Sequence, residues 1–243
     1  MPHANSLDGI TLFRSMSQED RTQLAGQCRW QKFGSGQEIM GHNDQSLDVY
    51  FMAEGTARII IYSFSGRPVI FRDVRPGEVF GEFAAIDGRP RSATVEATSD
   101  CLTGALRPDA FWDALLSHPM VARDAMIWLT AQSRALTRRV LEFSTLAVRN
   151  RLHAELLRLA REDLRDDGSA IVSPVPTHAD LASRISTHRE AVTREMSRLT
   201  RAGLIDRQGD ALVICNLQEL GDLVEEVLGE SLLDLESGDG PSW

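Results

Sequence analysis

GEVFGEFAAIDGRPRSATVEA, running from Gly77 to Ala97, is the most restrictive stretch of this sequence. It joins Gly81 to Glu82 and, ten residues after Gly81, Arg91 to Ser92. An apolar segment and a Gly88-Arg89-Pro90 turn lie between the two pairs. Arginine presents a planar fork of donors that fits phosphate oxygens. A glutamate carboxylate accepts hydrogen bonds from a sugar hydroxyl. Glycine lets backbone N–H groups approach a ligand closely. The stretch therefore predicts a site for a small hydroxylated anion, built from Gly81, Glu82, Phe83, Ala84, Arg91 and Ser92. A purely structural Glu82–Arg91 ion bridge would use two of the same residues.

Outward from this stretch, from Trp30 to Arg107, short runs alternate with turn signals. DVYFMAEG, TARIIIYSFSG, RPVIFRDVRPG, SATVEATSD and CLTGALRP are rich in β-branched and aromatic residues. Gly55, Gly66, Gly77 and Gly88 recur at eleven-residue spacing. That texture predicts a jelly-roll barrel or β-sandwich, with Ser65-Gly66 at a hairpin tip. No strand–glycine loop–helix unit accompanies the stretch, which excludes a dinucleotide site of the doubly wound kind. Ahead of the strands, residues 6–27 read as one or two short helices, with Ser17 opening SQEDRTQL.

Beyond Pro108 the pattern turns helical. Residues 119–147 carry few breakers, and Leu129, Ser133, Leu136, Val140, Phe143 and Ala147 follow steps of four and three. This is an a/d seam suited to a parallel dimer helix; packing of the stripe on its own β-domain is the other reading. Residues 149–163 read as a further helix and AIVSPVP as a strand. Two short helices, 177–184 and 188–202, are joined by a tight turn at Ile185-Ser186-Thr187. Thr177 with Asp180 forms a capping-box variant. Residues 204–214 make a hairpin around Gly209-Asp210. Helix, turn, helix and hairpin together define a winged helix-turn-helix. An acidic amphipathic helix is expected over 217–235, with a frayed tail from Ser237 to Trp243. The fold class is α+β. Its parts are a β-domain over 1–118, a dimer helix over 119–147, a winged helix-turn-helix over 148–217, and a C-terminal helix and tail over 218–243.

The chain has 243 residues, 42% hydrophobic and 25% charged, the composition of a folded globular protein. No apolar run reaches a membrane span, and the N-terminus lacks the pattern of a secretory signal. The cytoplasm is therefore the expected location. Cys28, Cys101 and Cys215 are scattered, which argues against a disulfide framework or a cysteine metal cluster. The net charge of −9 averages over unlike regions. Six arginines against three acids lie between Arg184 and Arg207. No grouping of His, Cys or Ser points to catalysis.

Two motifs carry a family resemblance. FGEFAAIDGRPRSATV (Phe80 to Val95) looks like the phosphate-binding cassette of cyclic-nucleotide-binding domains. Its Gly-to-Arg spacing and its Gly-x-Pro-Arg turn are closer still to the cassettes of cyclic-nucleotide-dependent kinases. DLASRISTHREAVTREMSRL (Asp180 to Leu199) is similar to a recognition-helix signature, with Ser186 where glycine is commoner. In this order, and over about Leu12 to Leu217, the chain resembles the cyclic-AMP-receptor-protein family of bacterial transcription regulators.

The resemblance implies roles for particular residues. Glu82 binds the ribose 2′-hydroxyl and Arg91 the cyclic phosphate, with Gly81 and Ser92 completing the cradle. Phe71 and Val74 wall the base, and Thr137 beside Leu136 contacts it, where relatives often carry two adjacent hydroxyl residues. Arg189, Glu190 and Arg194 read base edges of a G-T-G-A-type half-site. Thr177, His178, Thr187 and His188 contact phosphates. The resemblance further implies cyclic AMP, or cyclic GMP, as allosteric ligand, and no metal. Its partners are a second copy of the chain, palindromic double-stranded DNA and RNA polymerase. Plain alternatives are a solvated charged face for the recognition-helix residues and an idle surface threonine at Thr137. Other functions open to the same domains are a haem or redox sensor and a cyclic-nucleotide regulatory subunit that binds no DNA.

Overall fold

A computed structural model describes residues 5–64, 66–160 and 163–228. The chain folds as two compact units, one ending at Ser133 and the other beginning at Arg134. The first unit opens with a 3-10 turn at Thr11–Phe13 and helix α1 (Gln18–Ala25). Strands follow: β1 (Arg29–Phe33), β2 (Glu38–Met40), β3 (Val49–Glu54), β4 (Ala57–Tyr62), β5 (Pro68–Val74) and β6 (Val79–Phe80). Helix α2 (Glu82–Asp87) interrupts them before β7 (Thr94–Ala97) and β8 (Cys101–Leu106). Helices α3 (Pro108–Ser117) and α4 (Pro119–Thr145) come next, and the division between the units falls within α4.

The strands form two four-stranded antiparallel sheets, ordered β1-β8-β3-β6 and β2-β7-β4-β5. Phe33, Met40, Tyr50, Met52, Val74, Phe80 and Val95 come from both sheets and share one buried cluster. The fold thus answers the jelly-roll expectation, because period-two strands with one apolar face are stable only when two such faces meet. A second cluster packs the N-terminal turn and α3 against β3, with Phe13 edge-on to Phe51 at 5.0 Å. The glycines at eleven-residue spacing all take positive φ, at 78°, 76°, 94° and 69°, so the recurrence marks turns rather than strand interiors. Gly66 lies between β4 and β5 as expected of a hairpin tip, while Ser65 lies outside the described residues. The one or two short helices expected over 6–27 are the 3-10 turn at Thr11–Phe13 and α1, of which only Gln18–Ala25 is α-helical. The Ser17 side chain caps it by accepting from the Asp20 N–H.

The second unit contains the C-terminal part of α4, then α5 (Val148–Ala160), β9 (Ala170–Val172), α6 (His178–Arg184), α7 (Arg189–Arg201), β10 (Ile205–Gln208), β11 (Ala211–Ile214) and α8 (Leu217–Leu228). Its sheet has the order β10-β11-β9. Leu156, Leu181, Ile185, Val192, Leu199 and Ile214 lie in its core. The expected 149–163 helix ends at Ala160 within the described residues, and Arg161 and Glu162 lie outside them. The part of the expected 217–235 helix beyond Leu228, and the tail from Ser237, also lie outside them.

Candidate functional site

β6 delivers the chain to Gly81, whose φ of 77° and ψ of 6° are left-handed. A Cβ there would stand 2.9 Å from Arg91 Nη1, so both the backbone shape and the close approach require glycine. α2 starts at Glu82 and ends at Gly88, also left-handed, whose N–H donates to the Ala84 carbonyl. The turn then brings Arg91 back beneath Gly81. The Arg91 backbone is fixed in turn by N–H donation to the Asp44 carbonyl at 3.0 Å and acceptance from Asn43 N–H at 3.0 Å.

The Arg91 side chain is only 2% exposed. Its Nη1 donates to the Gly81 carbonyl at 2.6 Å, Nη2 to the Asp48 carbonyl at 2.7 Å, and Nε to Ser46 Oγ at 3.2 Å. The guanidinium carbon lies 5.6 Å from the centre of the Tyr50 ring. A guanidinium has five N–H groups. These bonds use three and leave one on each terminal nitrogen, the pair that meets two phosphate oxygens at once. Burial draws the arginine below its ordinary pKa, against the pull of Tyr50, Asp48, Asp44 and Glu82.

Glu82 is 8% exposed and makes no ion pair among the described residues, so the structure does not form the Glu82–Arg91 bridge. Burial pushes its carboxyl up to about 6, opposed by its own backbone N–H, then by Arg72 and Arg91. A buried carboxyl with open oxygens, set close to a buried arginine with two open N–H groups, matches a hydroxylated phosphate.

Gly81, Glu82 and Arg91 therefore come together. Ala84 is on the buried side of α2, whereas Phe83 is 49% exposed. Ser92 is exposed. Phe71 is the extra residue of a bulge, because Ile59 pairs with Arg72 and Ile60 with Ile70. Val74 is fully buried opposite Ala57 in the core. Leu136 and Thr137 are exposed on α4. Sequence reading missed Ser46, Asp48, Tyr50 and Arg72. None carries a local signal, and the acceptors from Ser46 and Asp48 stand 45 and 43 residues from Arg91.

In the second unit, Thr177 Oγ1 caps α6 by accepting from Asp180 N–H at 3.1 Å. Ser186 takes a φ of 49° in the turn, the left-handed shape that glycine adopts more readily. α7 buries Val192, Met196 and Leu199 and exposes Arg189, Glu190, Thr193, Arg194 and Ser197. No ion pair ties Glu190 to Arg194 or engages Arg189 among the described residues, so three charged side chains stand open on one face. His178 Nδ1 lies 2.8 Å from Thr193 Oγ1, joining α6 to this face. His188 is exposed at the start of α7 with no side-chain cap bond, and Thr187 donates its backbone N–H to the Ala182 carbonyl.

Behind that face lies a buried ion network that sequence reading also missed. Glu155, 2% exposed, takes Arg139 Nη1 at 2.7 Å, Arg158, and Arg184 Nη1 at 3.4 Å. Glu142, 3% exposed, takes Arg158 Nη2 at 2.7 Å. Arg139 Nη2 also donates to the Arg184 carbonyl at the end of α6, at 2.5 Å. Desolvation is outweighed by the three arginines, so Glu155 stays below the usual carboxylate range.

A β-roll with an anion-and-hydroxyl cradle, and a winged helix-turn-helix with an open charged face, define a protein with one domain for a small ligand and one for DNA. Comparison with known proteins agrees. Residues 30–118 match the cyclic nucleotide-binding domain, and residues 150–223 the Crp-like helix-turn-helix domain. The chain is 29% identical over 178 residues to the transcriptional regulator SdrP of Thermus thermophilus, covering 72% of this chain and 83% of that one. It is 25% identical over 201 residues to the cyclic AMP receptor protein of the same organism, covering 82% and 89%. The solved structure of FixK2 from Bradyrhizobium japonicum shares the fold at a TM-score of 0.70 and 22% identity, covering 81% and 96%. In both domains the chain resembles the cyclic AMP receptor protein family of transcription regulators. It is a cyclic-nucleotide-binding, DNA-binding regulator of transcription and not an enzyme. No helix among the described residues is long and apolar enough to cross a membrane.

Proposed function

We propose that the protein is a homodimeric cytoplasmic regulator that binds cyclic AMP, with cyclic GMP as the competing ligand, and acts with RNA polymerase at a palindromic operator. The observation that carries the reading is the cradle: a 2%-exposed arginine with a spare N–H on each terminal nitrogen, beside a buried carboxyl without an ion pair. Arg91 takes the cyclic phosphate and Glu82 the ribose 2′-hydroxyl, with Gly81 admitting the ligand to the backbone. Phe83, Ala84, Ser92, Phe71 and Val74 line the rest, and Leu136 and Thr137 meet the base.

The apolar side chains of Leu136 and Val140, 37% and 66% exposed on α4, support a second copy as partner along the seam. α4 ends at Thr145, so Ala147 falls outside the helical seam. Arg189, Glu190 and Arg194 read a G-T-G-A-type half-site, while Thr177, His178, Thr187 and His188 flank the phosphates. Two such helices in a dimer reach half-sites roughly 34 Å apart, one DNA turn. A nucleotide activates only by binding the DNA-competent state more tightly than the other.

The test titrates cyclic AMP and cyclic GMP by calorimetry, then compares gel shifts of a palindromic duplex with each complex. Cyclic AMP binding that strengthens the shift is expected. A protein that binds neither nucleotide, or binds without changing DNA affinity, refutes the reading.

A further inference from the structure

Arg72 stands on β5 opposite Ile59, two residues from the buried Ala57–Val74 pair and hence on the same inward face. It lies outside the cassette motif. Its Nη1 pairs with the Glu78 carboxylate at 2.5 Å, and its Nη2 donates to the Val79 carbonyl at 3.1 Å. Val79 belongs to β6, in the other sheet. The side chain thus bridges the sheets two residues ahead of Gly81. A further bond from Nη1 to the Asp73 carbonyl, at 3.2 Å, fixes its orientation.

Glu82 must be ionised to accept a hydroxyl hydrogen bond with full strength, and burial works against that. The cations acting on its carboxyl are Arg72, then Arg91. Arg91 is committed to the Gly81 and Asp48 carbonyls and to the phosphate end. Arg72 is tethered differently. Glu78 and the Val79 carbonyl fix it beside the strand that leads into Glu82, three residues after Val79, and it makes no ion pair with Glu82 among the described residues. We propose that Arg72 is a positioning residue of the nucleotide site: it acts on the ribose end of the ligand through Glu82 and makes binding depend on a free 2′-hydroxyl. This rests on the cradle being a cyclic-nucleotide site.

The experiment is a calorimetric cycle with cyclic AMP and its 2′-deoxy analogue on wild type, Arg72→Gln and Arg72→Lys. Wild type is expected to prefer cyclic AMP by about tenfold or more, the scale of a hydrogen bond to a charged group. Arg72→Gln lowers cyclic AMP affinity about tenfold and leaves the 2′-deoxy analogue within about twofold, so the preference collapses. Arg72→Lys, which keeps the charge, restores part of it. Equal weakening of both ligands would mean that Arg72 only props the strand, and that overturns the proposal, as does no change in either. Should Arg72→Gln not fold, the same comparison is made between wild type and Arg72→Lys, where an undiminished 2′-hydroxyl preference with weakened binding overturns it. A wild type that binds neither nucleotide refutes the cradle itself, a failure separable from that of Arg72 alone.

Discussion

Replacing Arg91 by alanine tests the cradle most directly. The substitution removes both N–H groups assigned to the phosphate. Hydrogen bonds to charged groups contribute about 1.5–3 kcal/mol each, so two lost bonds cost about 3–6 kcal/mol. Each 1.4 kcal/mol is tenfold, which raises the nucleotide Kd by about 10²–10⁴. The substitution also costs stability, because Arg91 satisfies the Gly81 and Asp48 carbonyls and Ser46 Oγ. Leaving the two carbonyls without donors costs about 1–3 kcal/mol each. Calorimetry reads the Kd, and thermal melting without nucleotide reads the stability. Nucleotide affinity within about threefold of wild type would refute the reasoning, since no single bond of this kind is that weak.

Glu190→Ala is expected to relax specificity at one base pair by about 1–3 kcal/mol in a gel-shift series across operator variants, whereas equal weakening on every duplex would mark a phosphate contact. Glu155→Ala leaves Arg139, Arg158 and Arg184 without their shared carboxylate, at an expected cost of about 3–5 kcal/mol read from denaturant midpoints; a loss below about 1 kcal/mol would show the network to be idle. His153 is 1% exposed, its Nε2 lies 2.6 Å from Glu195, and its Nδ1 has no partner. Burial holds its pKa below 6.5 despite Glu195, so the unfolded chain binds the proton more readily. Stability contributed by the neutral ring is therefore present above about pH 6.5 and lost as pH falls from there, a slope that His153→Gln should flatten in urea titrations at stepped pH.

Local chemistry explains why much of this was readable. Strand faces, helix stripes and turn glycines are set by neighbours two to four residues apart, so β4, β5, α7 and the Thr177 cap fall where periodicity and capping put them. Gly81, Glu82 and Arg91 were legible as a set because one short helix, capped at Gly88, and the turn after it fold them onto each other. Helix ends were less so: α4 stops at Thr145, short of the expected 147, where the Leu146 N–H still donates to the Glu142 carbonyl.

Composition and spacing thus specified a β-rich ligand domain, a long helix and a winged helix-turn-helix, since each depends on short-range pattern. The partners of the charges were settled only by packing. Ser46, Asp48 and Tyr50 reach Arg91 because β3 and the loop before it are folded beside the cassette. Arg72 meets Val79 because two sheets close on one another. Glu155 gathers arginines from α4, α5 and α6. A charge removed from water must find partners wherever the fold places them, and no local rule of sequence says where that will be.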